Sequence, residues 1–159
     1  MNTKEGMTVT EIKLRVPNDN DWPAILSVAN AALPWDAAGN QEWLENRQQF
    51  KGRRRHHVAE ETPTGRGVGY GAVEEGPEPG YFRVFVVMAP ERLQSETGVL
   101  IYERLVADLE RLEARGAWVR EYASDAPVLA FFGEHGFAER SRFTPPGHRE
   151  MVVLVKPWG

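Results

Sequence analysis

The chain has 159 residues, the length of one domain able to bury its own core without a metal or disulfide. Hydrophobic residues make up 42% and charged residues 26%, which excludes a largely disordered or fibrous chain. The net charge of −4 argues against nucleic-acid binding, and the absence of cysteine excludes a thiol nucleophile, disulfides and cysteine-held zinc or iron–sulfur clusters.

No stretch approaches the roughly 18 apolar residues of a membrane span, and the polar first ten residues hold no signal-peptide core. The expectation is a cytoplasmic protein with no membrane partner, residues 1–10 forming a mobile lead-in and residues 11–159 a single domain. Glu11 to Val16 alternates as a first strand, and Pro17, Asn18, Asp19 and Asn20 turn it. Asp21 is placed to cap a helix carrying Ile25, Val28, Ala29, Ala32 and Leu33 on one face, with Pro34 as its stop. A second short helix fits Gln41 to Phe50. Three strands follow, His56 to Glu60, Val68 to Glu74 and Tyr81 to Met88, joined by Gly- and Pro-rich turns that predict an antiparallel meander. The last is the most apolar and is expected at the centre of the sheet.

Glu96 to Arg115 reads as the strongest helix, burying Ile101, Leu105, Leu109 and Leu112, with Gly116 as its left-handed C-terminal cap. Ala117 to Tyr122 is a strand reached by a β-α-β crossover. Asp125 to His135 is a helix closed by Gly136, and Phe137 to Phe143 with Met151 to Val155 form a last hairpin around Pro145-Pro146-Gly147. The order β-α-α-β-β-β-α-β-α-β-β defines an α+β class: a mixed, mostly antiparallel sheet of about seven strands flanked by about four helices.

Two local patterns carry a resemblance. Met88-Ala89-Pro90-Glu91-Arg92-Leu93-Gln94-Ser95-Glu96-Thr97-Gly98 precedes the long helix, and Asp125 to Phe137 ends in Phe131-Phe132-Gly133-Glu134-His135-Gly136-Phe137. In this order and topology they resemble the GNAT superfamily of acyl-CoA-dependent N-acyltransferases, with Pro90, Gly98 and Gly136-Phe137 at the family's spacing. A loop feeding a helix N-terminus offers free backbone N–H groups and a partial positive charge, which suit phosphate. The resemblance implies acetyl-CoA as cosubstrate, its pyrophosphate held by backbone donors of Leu93, Gln94, Ser95, Glu96, Thr97, Gly98 and Val99. Its pantetheine arm would pair with backbone around Val86 and Met88 as an added strand does. A small-molecule or peptide amine would meet the thioester where two parallel strands splay.

The sequence departs from the family at several positions. Leu93 replaces a basic or glutamine residue, and Gln94 and Glu96 replace two close-approach glycines. At ~5 Å and an effective dielectric of ~20, a Glu96 carboxylate would repel phosphate by about 3 kcal/mol. Phe132 stands where the family often has an acidic tyrosine and has no proton to give. Asp125 replaces an asparagine. Glu121 and Tyr122, at the end of the fifth strand, are the candidate catalytic residues, and strand alternation lets one of them face the splay.

Other features have plainer readings. Lys51, Arg53, Arg54 and Arg55 read as a solvated helix end or a contact for an anionic partner. Gly65, Gly67, Gly69 and Gly71 read as a hairpin and a thin strand face, because no helix follows them. His135 reads as a helix-end cation, and no histidine pair has helical metal spacing. His148, Arg149 and Glu150 lie on the last hairpin, which in the resembled family often borders the acceptor site, and Trp35 and Trp43 line an acceptor pocket or fill core. Two functions stand: acetyl transfer to a primary amine by direct attack, or a degenerate module that binds an acyl-CoA weakly or a protein partner, with a homodimer through the C-terminal strands.

Overall fold

The computed structural model describes residues 11–159, so the expected lead-in, residues 1–10, lies outside the described residues. The elements are β1 (Glu11–Arg15), α1 (Trp22–Ala32), α2 (Ala37–Gln49), β2 (Arg54–Thr62), β3 (Arg66–Glu75), β4 (Tyr81–Met88), α3 (Pro90–Leu93), α4 (Glu96–Arg111), β5 (Gly116–Tyr122), α5 (Ala126–Glu134), β6 (Ala138–Phe143) and β7 (Met151–Pro157). Seven strands form one sheet in the order β1-β2-β3-β4-β5-β7-β6. Only the β4–β5 pair is parallel, and α4 makes the crossover between them. Among the described residues, no helix is long and apolar enough to cross a membrane.

β4 lies at the middle of the sheet because both of its faces are apolar. Phe82, Val84, Val86 and Met88 join the core under α4 and α5, whereas Phe85 joins Trp22, Ile25 and Leu44 under α1 and α2. The α4 stripe of Ile101, Leu105 and Leu109 is buried almost completely, and Leu112 packs at its margin. Each such leucine or isoleucine contributes about 1.5–3 kcal/mol. The thin face of β3 makes room for that helix: a Cβ on Gly71 would stand 3.0 Å from Ile101.

Several local expectations change. The cap of α4 is not Gly116. The helix stops at Arg111, Glu113 takes the left-handed φ of 55°, and Gly116 is already the first residue of β5. A Cβ on Gly116 would meet the Tyr81 ring at 2.6 Å, so the glycine serves a close approach. α2 starts at Ala37, four residues before the apolar rhythm shows, and the one-turn α3 is an additional helix. The arginines of the basic run lie beyond the helix and each has an acidic partner, whereas Lys51 is exposed. β2 begins at Arg54, and Arg53, Arg54 and Arg55 pair with Glu75, Glu74 and Asp108 at 3.0, 3.3 and 3.1 Å.

His56 and His57 leave β2 on opposite faces, toward the Tyr70 hydroxyl at 2.9 Å and Asp108 Oδ2 at 2.6 Å. His135 is not a helix-end cation. It stacks on Tyr102 with ring centroids 3.9 Å apart, and burial lowers its pKa toward the neutral ring. β6 forms an exposed sheet edge carrying Glu139, Arg140 and Arg142, charges that blunt pairing with another strand.

Candidate active site

β4 and β5 pair over only three positions, Tyr81–Gly116, Phe82–Ala117 and Arg83–Trp118. Beyond Arg83, β4 stays paired with β3 as far as Met88, and β5 stays paired with β7 as far as Tyr122. Each strand is held from its outer side and the two part. The gap is a cavity of about 350 Å³ that reaches both faces of the sheet. Val86, Met88 and Leu93 line it from the α4 side, and Trp43, Arg47 and Phe85 from the α1–α2 side.

Glu121 and Tyr122 both line this cavity, although alternation sends them to opposite faces, because the gap opens to both. Glu121 continues the row of Ala117 and Val119, which are buried. Burial pushes its carboxyl from the ordinary 4.5 up to about 8, with Arg83 pulling the other way. Tyr122 donates its hydroxyl proton to Asp36 Oδ2 at 2.7 Å, and burial, with that bond and the Asp36 charge, pushes its pKa to about 12. Its ring lies 4.9 Å from Trp35, which is stacked under Arg149 at 4.0 Å. His148 from the β6–β7 loop also lines the cavity, so the last hairpin closes its side.

At the other end lies the loop between β4 and α4. Ser95 caps α4: its Oγ accepts from the Thr97 N–H at 3.2 Å and donates to the Arg92 carbonyl at 2.6 Å. The N–H groups of Leu93, Gln94, Ser95, Gly98 and Val99 bond to Ala89, Pro90, Arg92, Ser95 and Ser95 carbonyls. Among the expected donors, Glu96 alone has an N–H without a protein partner in the described structure. Gln94, Ser95, Glu96 and Val99 are exposed, whereas Thr97 and Gly98 are buried. Glycine is required at 98 because a Cβ there would overlap the Leu93 carbonyl oxygen. Gly98→Ala should cost about 1–3 kcal/mol, or roughly 3–10 °C in Tm by thermal melt.

Phe132 is fully buried against Phe131 and Phe137, and Asp125 caps α5 by accepting from the Val128 N–H at 3.5 Å. Two cavity residues escaped the sequence reading. Arg47 Nε stands 2.9 Å from Glu74 Oε2, off the line of a hydrogen bond, and Arg83 leaves β4 at the apex of the gap. The signal for Arg83 was a lone cation inside the most apolar strand.

A seven-stranded mixed sheet that splays between its two parallel strands, with a crossover helix on one face, is the GNAT fold. Solved structures agree with this. A protein named as a phosphinothricin N-acetyltransferase is 18% identical with a TM-score of 0.76, over 94% of this chain and 99% of that one. The ribosomal-protein-S18-alanine N-acetyltransferase from Escherichia coli is 18% identical with a TM-score of 0.69, over 92% and 94%. The yncA protein of Salmonella typhimurium, solved with acetyl-CoA, is 16% identical with a TM-score of 0.67, over 92% and 94%. No family model matches the sequence, and no curated protein matches it significantly.

Proposed function

We propose that the chain is an N-acyltransferase that moves an acetyl group from acetyl-CoA to a primary amine by direct attack, in the cytoplasm. The observation that carries this reading is Glu121, a carboxyl group that lines the splay between β4 and β5 and whose burial raises its proton affinity. From Val84 to Met88, β4 is unpaired on the side facing β5 and offers an edge to which an extended arm can add. A bound acyl-CoA would supply an activated thioester. As the amine nitrogen bonds to the thioester carbonyl carbon and the C–S bond breaks, Glu121 would take the proton from the amine, and with a pKa of about 8 it can pass a proton to the departing CoA thiolate, which Phe132 cannot do. Tyr122, its proton held by Asp36, fixes the wall beside Glu121.

The phosphate end fits less well, because the loop amides are bonded internally and Glu96 adds a carboxylate. Affinity then rests on the arm more than on the pyrophosphate. Calorimetric titration with acetyl-CoA at fixed modest salt should give micromolar binding, tighter than for CoA. Because Glu96 is exposed and screened, Glu96→Gly should tighten CoA by about fivefold rather than by the full contact repulsion. No heat at millimolar ligand would overturn the transferase reading. The closed loop and Phe132 favour a second reading in that event, a GNAT-fold module that docks a protein or its own copy. Sedimentation would report the homodimer.

A further inference from the structure

Arg83 is the last residue through which β4 pairs with β5, so its side chain enters the cavity at the apex of the splay. Its guanidinium carbon lies 4.4 Å from the Phe85 ring centre and 5.4 Å from that of Trp118, aromatic surfaces that hold the group in place. Its Nε is buried without a hydrogen-bond partner. Among the described residues, no carboxylate approaches any Arg83 nitrogen closely enough to form an ion pair, whereas Arg47, Arg53, Arg54 and Arg55 each have one.

Glu74 stands opposite Arg83 in the β3–β4 pair and attracts it, but its carboxylate is already shared by Arg47 and Arg54, and the acidic groups lining the cavity do not fill the role either. Asp36 accepts from Tyr122, Asp125 caps α5, and Glu42 is exposed on α2. Glu121 is mostly protonated below about pH 8. A half-buried guanidinium whose Nε is sealed from water and unpaired is desolvated without compensation, a deficit that an anionic ligand would repair. Burial lowers the Arg83 pKa only to about 10, so the charge persists at neutral pH. A guanidinium fork matches the two oxygens of a carboxylate. Trp43, Phe85 and Met151 add apolar wall beside it.

We propose that Arg83 is the anion subsite of the acceptor, which is a small amine bearing a carboxylate, as in an amino acid with an apolar side chain. That the anionic ligand is an acetyl acceptor rests on the transferase reading, whereas the anion site rests on the cavity alone. The test measures binding to the full chain by calorimetry for a panel of apolar α-amino acids, each beside its α-amino amide and its decarboxylated amine, such as leucine, leucinamide and 3-methylbutylamine. At least one acid should bind with a submillimolar Kd and its uncharged partners about tenfold or more weakly. Arg83→Gln should abolish that preference, and Arg83→Lys should keep part of it.

Equal binding of acids and amides by wild type overturns the proposal, as does no acid binding at 10-millimolar order or a preference intact in Arg83→Gln. If Arg83→Gln fails to fold, the wild-type comparison and Arg83→Lys still decide. Turnover is read separately, as thiol release from acetyl-CoA with each amine. Acid-selective binding without thiol release would retain the subsite and sink the transferase reading. Turnover that falls equally for acids and amides in Arg83→Lys, through kcat alone, would place Arg83 at the thioester and overturn the subsite.

Discussion

Glu121→Gln is expected to lower kcat/KM for acetyl transfer by about 10²–10⁴-fold, the usual contribution of a positioned base. The group becomes a base only when ionised, so the wild-type rate should climb with pH and level off above about 8. The glutamine variant should lose that limb, and any rise left in it belongs to the acceptor amine. Stability should respond with the opposite sign. A carboxyl whose folded pKa is raised from 4.5 to about 8 binds its proton more tightly folded than unfolded. Its contribution is therefore full below the lower value and is lost as pH rises through the upper one. Glu121→Gln should accordingly melt higher than wild type at alkaline pH while it loses activity. A pH–rate profile and a thermal melt of both proteins measure this, and a flat wild-type profile would remove Glu121 from the chemistry.

Glu74→Ala is expected to cost about 3–5 kcal/mol, a fall in Tm of roughly 6–20 °C. Glu74 is buried beneath the α1–α2 side of the cavity, 2.9 Å from Arg47 Nε and 3.3 Å from an Arg54 terminal nitrogen. Burial raises the Glu74 pKa and lowers that of Arg47, so both charges sit in a poorly hydrated place. Removing one partner leaves Arg47 charged against the Phe85 ring at 4.2 Å with nothing to balance it. The double change Glu74→Leu with Arg47→Met removes both charges and should recover most of the loss. If the double variant melts no higher than Glu74→Ala, the loss comes from packing rather than from charge.

Local rules accounted for much of the framework. The limits of β4 and the left-handed turn at Gly136 follow from apolar runs and glycine placement that act over a few residues. Where a neighbour distant in sequence intervened, local reading failed. Gly116 looked like a helix cap because nothing in its own segment announces the Tyr81 ring above it, and His135 looked like a cation because Tyr102 lies a helix away.

The site divides along the same line. The sequence by itself determined that a carboxylate and a phenol end the fifth strand, that no cysteine can act as a nucleophile, and that a serine and a glutamate open the long helix. Only the tertiary structure decided that β4 and β5 release each other after three pairs, because each is held by its outer neighbour. That gap admits both Glu121 and Tyr122, and burial there raises the proton affinity of Glu121. The serine cap follows a local preference, whereas the bonding of the other loop amides to nearby carbonyls shows only in the structure. The charge at the apex is likewise a tertiary fact: Arg83 is one arginine among many in the sequence, and it becomes a binding group because the fold withholds its partner.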